Sequence, residues 1–291
     1  MATKPRDLLL LMRPHQWLKN GFVLVGLLFG HAWVDPVMVR RVLLALAAFS
    51  LFASSIYVLN DIMDAAADRL HPRKKMRPLA AGRLAPMHAG VFGAGLALAG
   101  AVLGYAASPR VLLVLVAYGV LNLAYSLKLR DIVILDVFCI AAGFMLRILA
   151  GTSGVGIPPS EWLLLCGLML TLFLGFTKRR AEMALLAGGS LAHRAVFRYY
   201  SLPLLDTFIA ITATMVLISY SLYTMSPHVV AAHGTTHLLS TVPFIVYGIF
   251  RYVYLVLRGE AGHDPAGELP RDPHLLFVLL AWLAVTLWLI A

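Results

Sequence analysis

The stretch RRVLLALAAFSLFASSIYVLN at residues 40–60 runs directly into Asp61-Ile-Met-Asp64-Ala-Ala-Ala-Asp68. The first part is long and apolar enough to cross a bilayer as a helix, which takes about 20 predominantly apolar residues. The second part puts three carboxylates where that helix leaves the membrane. At about 100° per residue, Asp61, Asp64 and Asp68 stay within roughly 60° of one another. Asn60 flanks the same face. Hard oxygen ligands crowded in this way repel one another unless a cation sits between them. Magnesium suits them, and it usually bridges one or two carboxylates to substrate phosphates, so the implied ligand is Mg2+ carrying a diphosphate. A merely solvated helix end is the plainer alternative, but four polar ligands on one stripe exceed what capping needs.

Working outward, the chain has 291 residues, of which 60% are hydrophobic and 13% charged, with a mean hydropathy of +0.84. One soluble core cannot hide that much apolar surface. Apolar blocks of about 17 to 22 residues recur from end to end, longer than the blocks of about 10 to 14 that suit a soluble core helix. The expected fold is therefore an all-α integral membrane protein, a bundle of about nine transmembrane helices forming a single domain over residues 1–291. The expected spans are 21–34, 40–60, 88–107, 110–127, 132–150, 160–177, 203–224, 238–257 and 273–291. Met1 to Asn20 lacks the apolar core and cleavage site of a signal peptide, which predicts a cytoplasmic N-terminus.

The net charge of +10 and pI near 9.9 would suggest nucleic acid for a soluble chain. Here the distribution makes them a topology signal, and no nucleic-acid partner is expected. With the N-terminus inside, 19 of the 24 basic residues fall in inner segments and only Arg40, Arg41 and Arg110 at outer turns. The long polar connections, 61–87, 178–202 and 258–272, also lie inside, so function is expected on the cytoplasmic face of a cell membrane. Cys139 and Cys166 sit in apolar segments without metal-ligand spacing and read as packing residues.

Basic residues cluster at the other inner helix ends. Arg69, Arg73, Lys74, Lys75, Arg77 and Arg83 follow the aspartates and can take phosphate oxygens left uncovered by a metal, although positive-inside topology alone would explain most of them. Tyr125-Ser126-Leu-Lys128-Leu-Arg130-Asp131 marks a second exit, followed by Asp136. Asp131 and Asp136 are about 140° apart on a helix, so a second same-face carboxylate pair needs a break in the backbone. Thr177-Lys178-Arg179-Arg180-Ala-Glu182 is either a topology anchor or an anion clamp, with Glu182 orienting Arg179 or a neighbouring arginine. Arg147 is an intramembrane arginine, a mark of a pathway or of a buried structural bond. Arg13-Pro14-His15-Gln16-Trp17-Leu-Lys19-Asn20 reads first as an interfacial anchor. Glu268 to Pro273 reads as a lid.

Asn60-Asp61-x-x-Asp64-x-x-x-Asp68 at a helix exit, in an all-helical bundle, resembles the UbiA superfamily of intramembrane prenyltransferases over essentially the whole chain. Arg13-Pro-x-Gln16-Trp17-x-Lys19-Asn20, Tyr125-Ser126 with Lys128, Ile134-Leu-Asp136 through Leu146-Arg147, and Lys178-Arg179-Arg180-x-Glu182 resemble its decaprenyl-phosphate phosphoribosyltransferase branch. The resemblance implies transfer of 5-phosphoribose from 5-phosphoribosyl 1-diphosphate (PRPP) to a polyprenyl phosphate such as decaprenyl phosphate, with Mg2+ as cofactor and diphosphate released, feeding arabinan synthesis for the cell wall. It implies that Asn60, Asp61, Asp64 and Asp68 hold the metal and diphosphate. It also implies that Lys19, Tyr125, Lys128 and Lys178 meet donor or acceptor phosphate, and the placement of Asn60, Arg73, Arg77, Arg130, Arg147 and Arg179 adds them as candidate phosphate ligands. A homo-oligomer is compatible with it. Two alternatives stay open: prenyl transfer from a prenyl diphosphate to an aromatic ring, and transport of an anionic lipid without bond making.

Overall fold

A computed structural model gives the structure and describes residues 5–70, 74–187, 195–262, 268 and 270–290. Its long helices are α1 (Pro36–Met63), α2 (Pro86–Ala107), α3 (Pro109–Leu127), α4 (Leu135–Gly151), α5 (Glu161–Ala187), α6 (Leu202–Met225), α7 (Val242–Leu257) and α8 (Pro273–Ile290). No strand occurs among the described residues. Proline opens most of these helices, where its missing N–H is one that no intrahelical acceptor would take. Asp35 caps α1 by accepting from the N–H groups of Val37 and Met38 at 2.8 and 3.4 Å.

Among the described residues, seven segments are long and apolar enough to cross a membrane: α1, α2, α3, Glu161–Leu185, α6, His237–Leu257 and α8. Two of the nine expected spans take other forms. The fifth is α4, with 17 residues. The first, expected at 21–34, is broken into a 3-10 segment Pro14–Leu24, a short helix Val25–Phe29 and a 3-10 turn Ala32–Val34. The reason is backbone against backbone. A Cβ on Gly26 would stand 2.0 Å from the carbonyl oxygen of Gly151, and one on Gly151 would stand 1.7 Å from that of Val23. Large apolar side chains such as Leu98, Leu113, Phe250, Phe277 and Trp288 stay exposed, as befits a lipid-facing surface.

The chain forms two compact units, one of residues 1–126 and 146–158 and the other of residues 127–145 and 159–291, with one boundary inside α4. In the first unit α1 packs along α2. Gly93 and Gly100 make this approach possible, because a Cβ at either would stand about 3 Å from α1 atoms, at Val58 and at the carbonyl of Ala48. Val42, Phe49, Ala53, Leu115 and Tyr118 fill the core around this contact.

In the second unit α5 packs along α6, and α7 lies against α6 and α8. Leu172, Phe173, Phe176, Leu205, Ile209 and Tyr252 form its core. Asp136 is 0% and Arg179 is 1% exposed, and they pair through Nε and Oδ2 at 2.6 Å. Taking two charges out of water is costly, so such a pair persists only when its remaining donors and acceptors are satisfied.

Gly151→Ala should be destabilising by about 3 kcal/mol or more through overpacking, read as a lowered melting temperature in detergent, whereas Gly95→Ala, with open space at its Cβ, should leave stability unchanged or raised. Asp136→Ala should cost on the order of 3 kcal/mol by leaving buried Arg179 short of one carboxylate. The same thermal unfolding experiment checks it.

Candidate metal and phosphate site

α1 does not carry all three aspartates. It ends at Met63, Asp64 stands at its C-cap with φ −90° and ψ 0°, and Asp68 lies on the short helix Ala65–Leu70 that follows. The helix expected to carry Asp61, Asp64 and Asp68 therefore turns at its middle member, although the N–H of Asp64 still bonds to the carbonyl of Asn60 at 2.9 Å and that of Asp68 to the carbonyl of Asp64 at 2.8 Å. Among the described residues, no group of three or more His, Cys, Asp or Glu side chains is disposed to hold a metal.

What gathers instead are two carboxylates around guanidinium groups. Asp61 and Asp68 are both buried. Arg77 Nη1 donates to Asp61 Oδ1 at 3.0 Å and to Asp68 Oδ2 at 2.6 Å. Arg13 pairs with the same oxygen of Asp61. Lys74 Nζ lies 3.9 Å from Asp68 Oδ1. Asn60 Oδ1 accepts from Ser126 Oγ at 3.1 Å. Asp64 is half-buried and makes no side-chain hydrogen bond among the described residues. The donor set suits a hard divalent cation, since these are all oxygen ligands and two carboxylates already converge on one positive group.

Local folding puts Arg77 there. Leu79 and Leu84 are buried against Leu11 and Val58, which pins the loop after the 3-10 turn Lys74–Met76. Arg83 ties the loop down by donating to Asp7 Oδ1 and to the carbonyl of Met76, each at 3.0 Å. Arg13 reaches Asp61 from an unusual backbone, φ 51° and ψ 60°, just before Pro14. For a residue other than glycine this left-handed conformation costs about 1–2 kcal/mol. Its guanidinium carbon lies 5.3 Å from the centre of the Tyr57 ring. Reading Arg13 as an interfacial anchor misses this pairing, and the only signal for it is its place in the Arg13-Pro-x-Gln16-Trp17-x-Lys19-Asn20 motif.

The rest of that motif is bound to α1. Trp17 Nε1 donates to Ser54 Oγ at 3.0 Å, Ser54 Oγ donates to the carbonyl of Met12 at 2.8 Å, and Asn20 Nδ2 donates to Ser50 Oγ at 3.1 Å. Lys19, between them, is half-buried, as is Tyr125 near the end of α3. Arg147 is 4% exposed. Its Nε donates to Asn20 Oδ1 at 2.8 Å and its Nη2 to Tyr118 OH at 3.0 Å, and the group lies over the Tyr118 and Phe49 rings at 4.7 and 5.6 Å. Although expected at a substrate phosphate, Arg147 is used here to hold the broken N-terminal segment. Arg73 lies outside the described residues.

In the second unit Lys128 is exposed, Arg130 is half-buried on the 3-10 turn Leu129–Asp131, and Lys178 is half-buried on α5. Arg179, expected among the phosphate ligands, spends its guanidinium on Asp136 and on Glu182, whose Oε2 is 2.6 Å from Nη1. The pairing with Glu182 agrees with one of the two arrangements expected. The backbone does break between Asp131 and Asp136, with Ile134 at φ 69°, yet Asp131 is exposed and Asp136 is wholly buried beside Arg179.

Tyr200, unmarked by any sequence motif, completes this cluster. Its hydroxyl accepts from the N–H of Ile134 at 2.7 Å and donates to Asp136 Oδ1 at 2.8 Å. Burial, and then the hydrogen bond to Asp136, push the phenol above its ordinary pKa, so it remains a donor at neutral pH. In the segment expected to act as a lid, Glu268 accepts from the N–H of Gly262 at 2.8 Å and from Tyr252 OH at 3.2 Å, and Asp272 pairs with Arg251 at 2.7 Å. Residues 263–267 and 269 lie outside the described residues.

Comparison with solved structures finds a UbiA homolog from Archaeoglobus fulgidus bound to DMAPP and Mg2+, with a TM-score of 0.72 at 16% identity, covering 98% of this chain and 99% of that one. This establishes the fold. Among curated proteins, decaprenyl-phosphate phosphoribosyltransferase of Mycobacterium tuberculosis is 32% identical over 94% of this chain and 90% of its own length. The Corynebacterium glutamicum protein of the same name is 35% identical over 93% and 82%. Residues 21–267 match the UbiA prenyltransferase family. With that match, these relatives and seven membrane-crossing helices, the chain is a multi-pass membrane protein and belongs to the UbiA prenyltransferase family.

Proposed function

We propose that this protein transfers 5-phosphoribose from PRPP to a polyprenyl phosphate and releases diphosphate, in a Mg2+-dependent reaction at the cytoplasmic face of the cell membrane. The observation that carries the reading is similarity over nearly the full chain to proteins named decaprenyl-phosphate phosphoribosyltransferase. The family match runs through both compact units, which supports residues 1–291 acting as one functional domain. The excess of basic residues on inner segments supports a cytoplasmic site.

In the reaction an oxygen of the lipid phosphate bonds to C1 of the ribose, while the bond from C1 to the diphosphate oxygen breaks and its electron pair leaves with the diphosphate. The attacking phosphate oxygen is already ionised and needs no strong general base. What remains is alignment and the stabilisation of charge on the leaving group, which fixed cations supply well in a water-poor site. Asn60, Asp61, Asp64 and Asp68 would hold Mg2+, which when bound neutralises the leaving diphosphate. Arg77 and Arg13, now on Asp61 and Asp68, are forked donors suited to the diphosphate oxygens. Lys19, Tyr125, Lys128, Arg130 and Lys178 are assigned to phosphate groups of donor or acceptor.

The second reading, transfer from a prenyl diphosphate to an aromatic acceptor, is favoured by one observation, the DMAPP bound to the A. fulgidus neighbour. The donor separates the two. Purified protein in detergent with Mg2+, decaprenyl phosphate and radiolabelled PRPP should move label into the lipid phase, and EDTA should abolish it. No labelled lipid, together with prenylation of an aromatic acceptor from DMAPP, would replace the first reading with the second. Asp61→Asn and Asp64→Asn should each reduce the labelled product by about 100-fold or more, with the folded protein still in the membrane. Arg77→Lys should retain more activity than Arg77→Ala but less than the parent, because lysine keeps the charge and loses the fork.

A further inference from the structure

Ile134 is a β-branched residue held at φ 69°, in the left-handed region that such residues rarely adopt. It lies between the turn Leu129–Asp131, which carries Arg130 and follows Lys128, and the start of α4. A chain of bonds holds it there. The N–H of Ile134 donates to Tyr200 OH at 2.7 Å, and Tyr200 OH donates to Asp136 Oδ1 at 2.8 Å. Asp136 Oδ2 accepts from Arg179 Nε at 2.6 Å, and Arg179 Nη1 donates to Glu182 Oε2 at 2.6 Å. The turn Leu129–Asp131 also packs against the 3-10 segment Ala195–Arg198, two residues before Tyr200.

Every group named here lies in one compact unit. Asp136, Arg179 and Tyr200 are buried, and only Glu182 at the end of the network is partly exposed. The network joins two basic elements: the turn with Lys128 and Arg130, and the stretch of α5 in which Lys178 precedes Arg179. Without the Tyr200 hydroxyl, the Ile134 N–H loses its acceptor, and the left-handed backbone keeps only the bonds that the Ile134 carbonyl accepts from the N–H groups of Val137 and Phe138 at 3.0 and 3.1 Å. The turn then relaxes, and Lys128 moves with it.

We propose that Tyr200 and Asp136 are positioning residues that act through Ile134 to set Lys128 for a lipid phosphate. This rests on the assignment of Lys128 to substrate phosphate made above. The sequence gives Tyr200 no motif of its own, and the hydroxyl earns its role only through the two bonds it makes.

The test is a double-mutant cycle in purified protein, with farnesyl monophosphate as the probe and its Kd as the readout. Tyr200→Phe, which keeps the ring, should weaken binding about 10-fold, Lys128→Ala should weaken it at least as much, and the double variant should be no worse than Lys128→Ala alone. A purely structural role would instead lower the melting temperature and add to the effect of Lys128→Ala. Hydrogen exchange provides the second measurement: amides of residues 128–134 should exchange at least about 10-fold faster in Tyr200→Phe, with α5 and α6 unchanged. An unchanged Kd in Tyr200→Phe, or an additive double variant, overturns the proposal. Label transfer from PRPP with an unchanged Tyr200→Phe Kd would sink the positioning role alone. A coupled loss of farnesyl monophosphate binding without transfer from PRPP would sink the phosphoribosyl reading alone.

Discussion

Two carboxylates buried at the end of a membrane helix must meet positive charge, because an isolated ion out of water costs several kcal/mol. Asp61 and Asp68 meet this demand with Arg77 between them, Arg13 on Asp61 and Lys74 near Asp68. Much of the first unit follows from that requirement. Leu79 and Leu84 pack with Leu11 and Val58, which holds the neighbouring Arg77 at the carboxylates. The N-terminal segment is stitched to α1 through Trp17, Asn20 and Ser54, with Arg13 at its edge in a left-handed backbone. In the proposed reaction a divalent cation would take these oxygens, and the arginines would turn to an anion.

The second unit solves the same problem differently. Asp136 and Arg179 neutralise each other in the interior, and Tyr200 and Glu182 take up remaining donors and acceptors. A satisfied network of this kind is rigid and specific rather than reactive. In the first cluster the cations Arg13, Lys74 and Arg77 are partly exposed, as the proposed exchange for a metal requires. In the second, Asp136 and Arg179 are buried, and their use lies in fixing backbone around them.

Much of this was legible in the amino-acid pattern. Long apolar blocks gave seven membrane-crossing helices close to their expected places, and Asn60, Asp61, Asp64 and Asp68 stood out by spacing alone. The first span was misread because hydropathy does not register Gly26 and Gly151, whose backbones touch. The turn at Asp64, where α1 ends at Met63 and a short helix follows, has no signal in an ideal helical period. Arg13, Asp136 and Tyr200 depend on partners 48, 43 and 64 positions away. No local period encodes such distances, so only the fold brings these groups together.

The proposed reaction requires the carboxylates around the end of α1 to accept a divalent cation in place of their arginines. Electron paramagnetic resonance of Mn2+ titrated into purified protein, read against a protein-free control at the same diphosphate concentration, tests it without turnover. The parent protein should remove more of the free Mn2+ signal than the control, and Asp61→Asn should not. Equal uptake of Mn2+ by both proteins would contradict it.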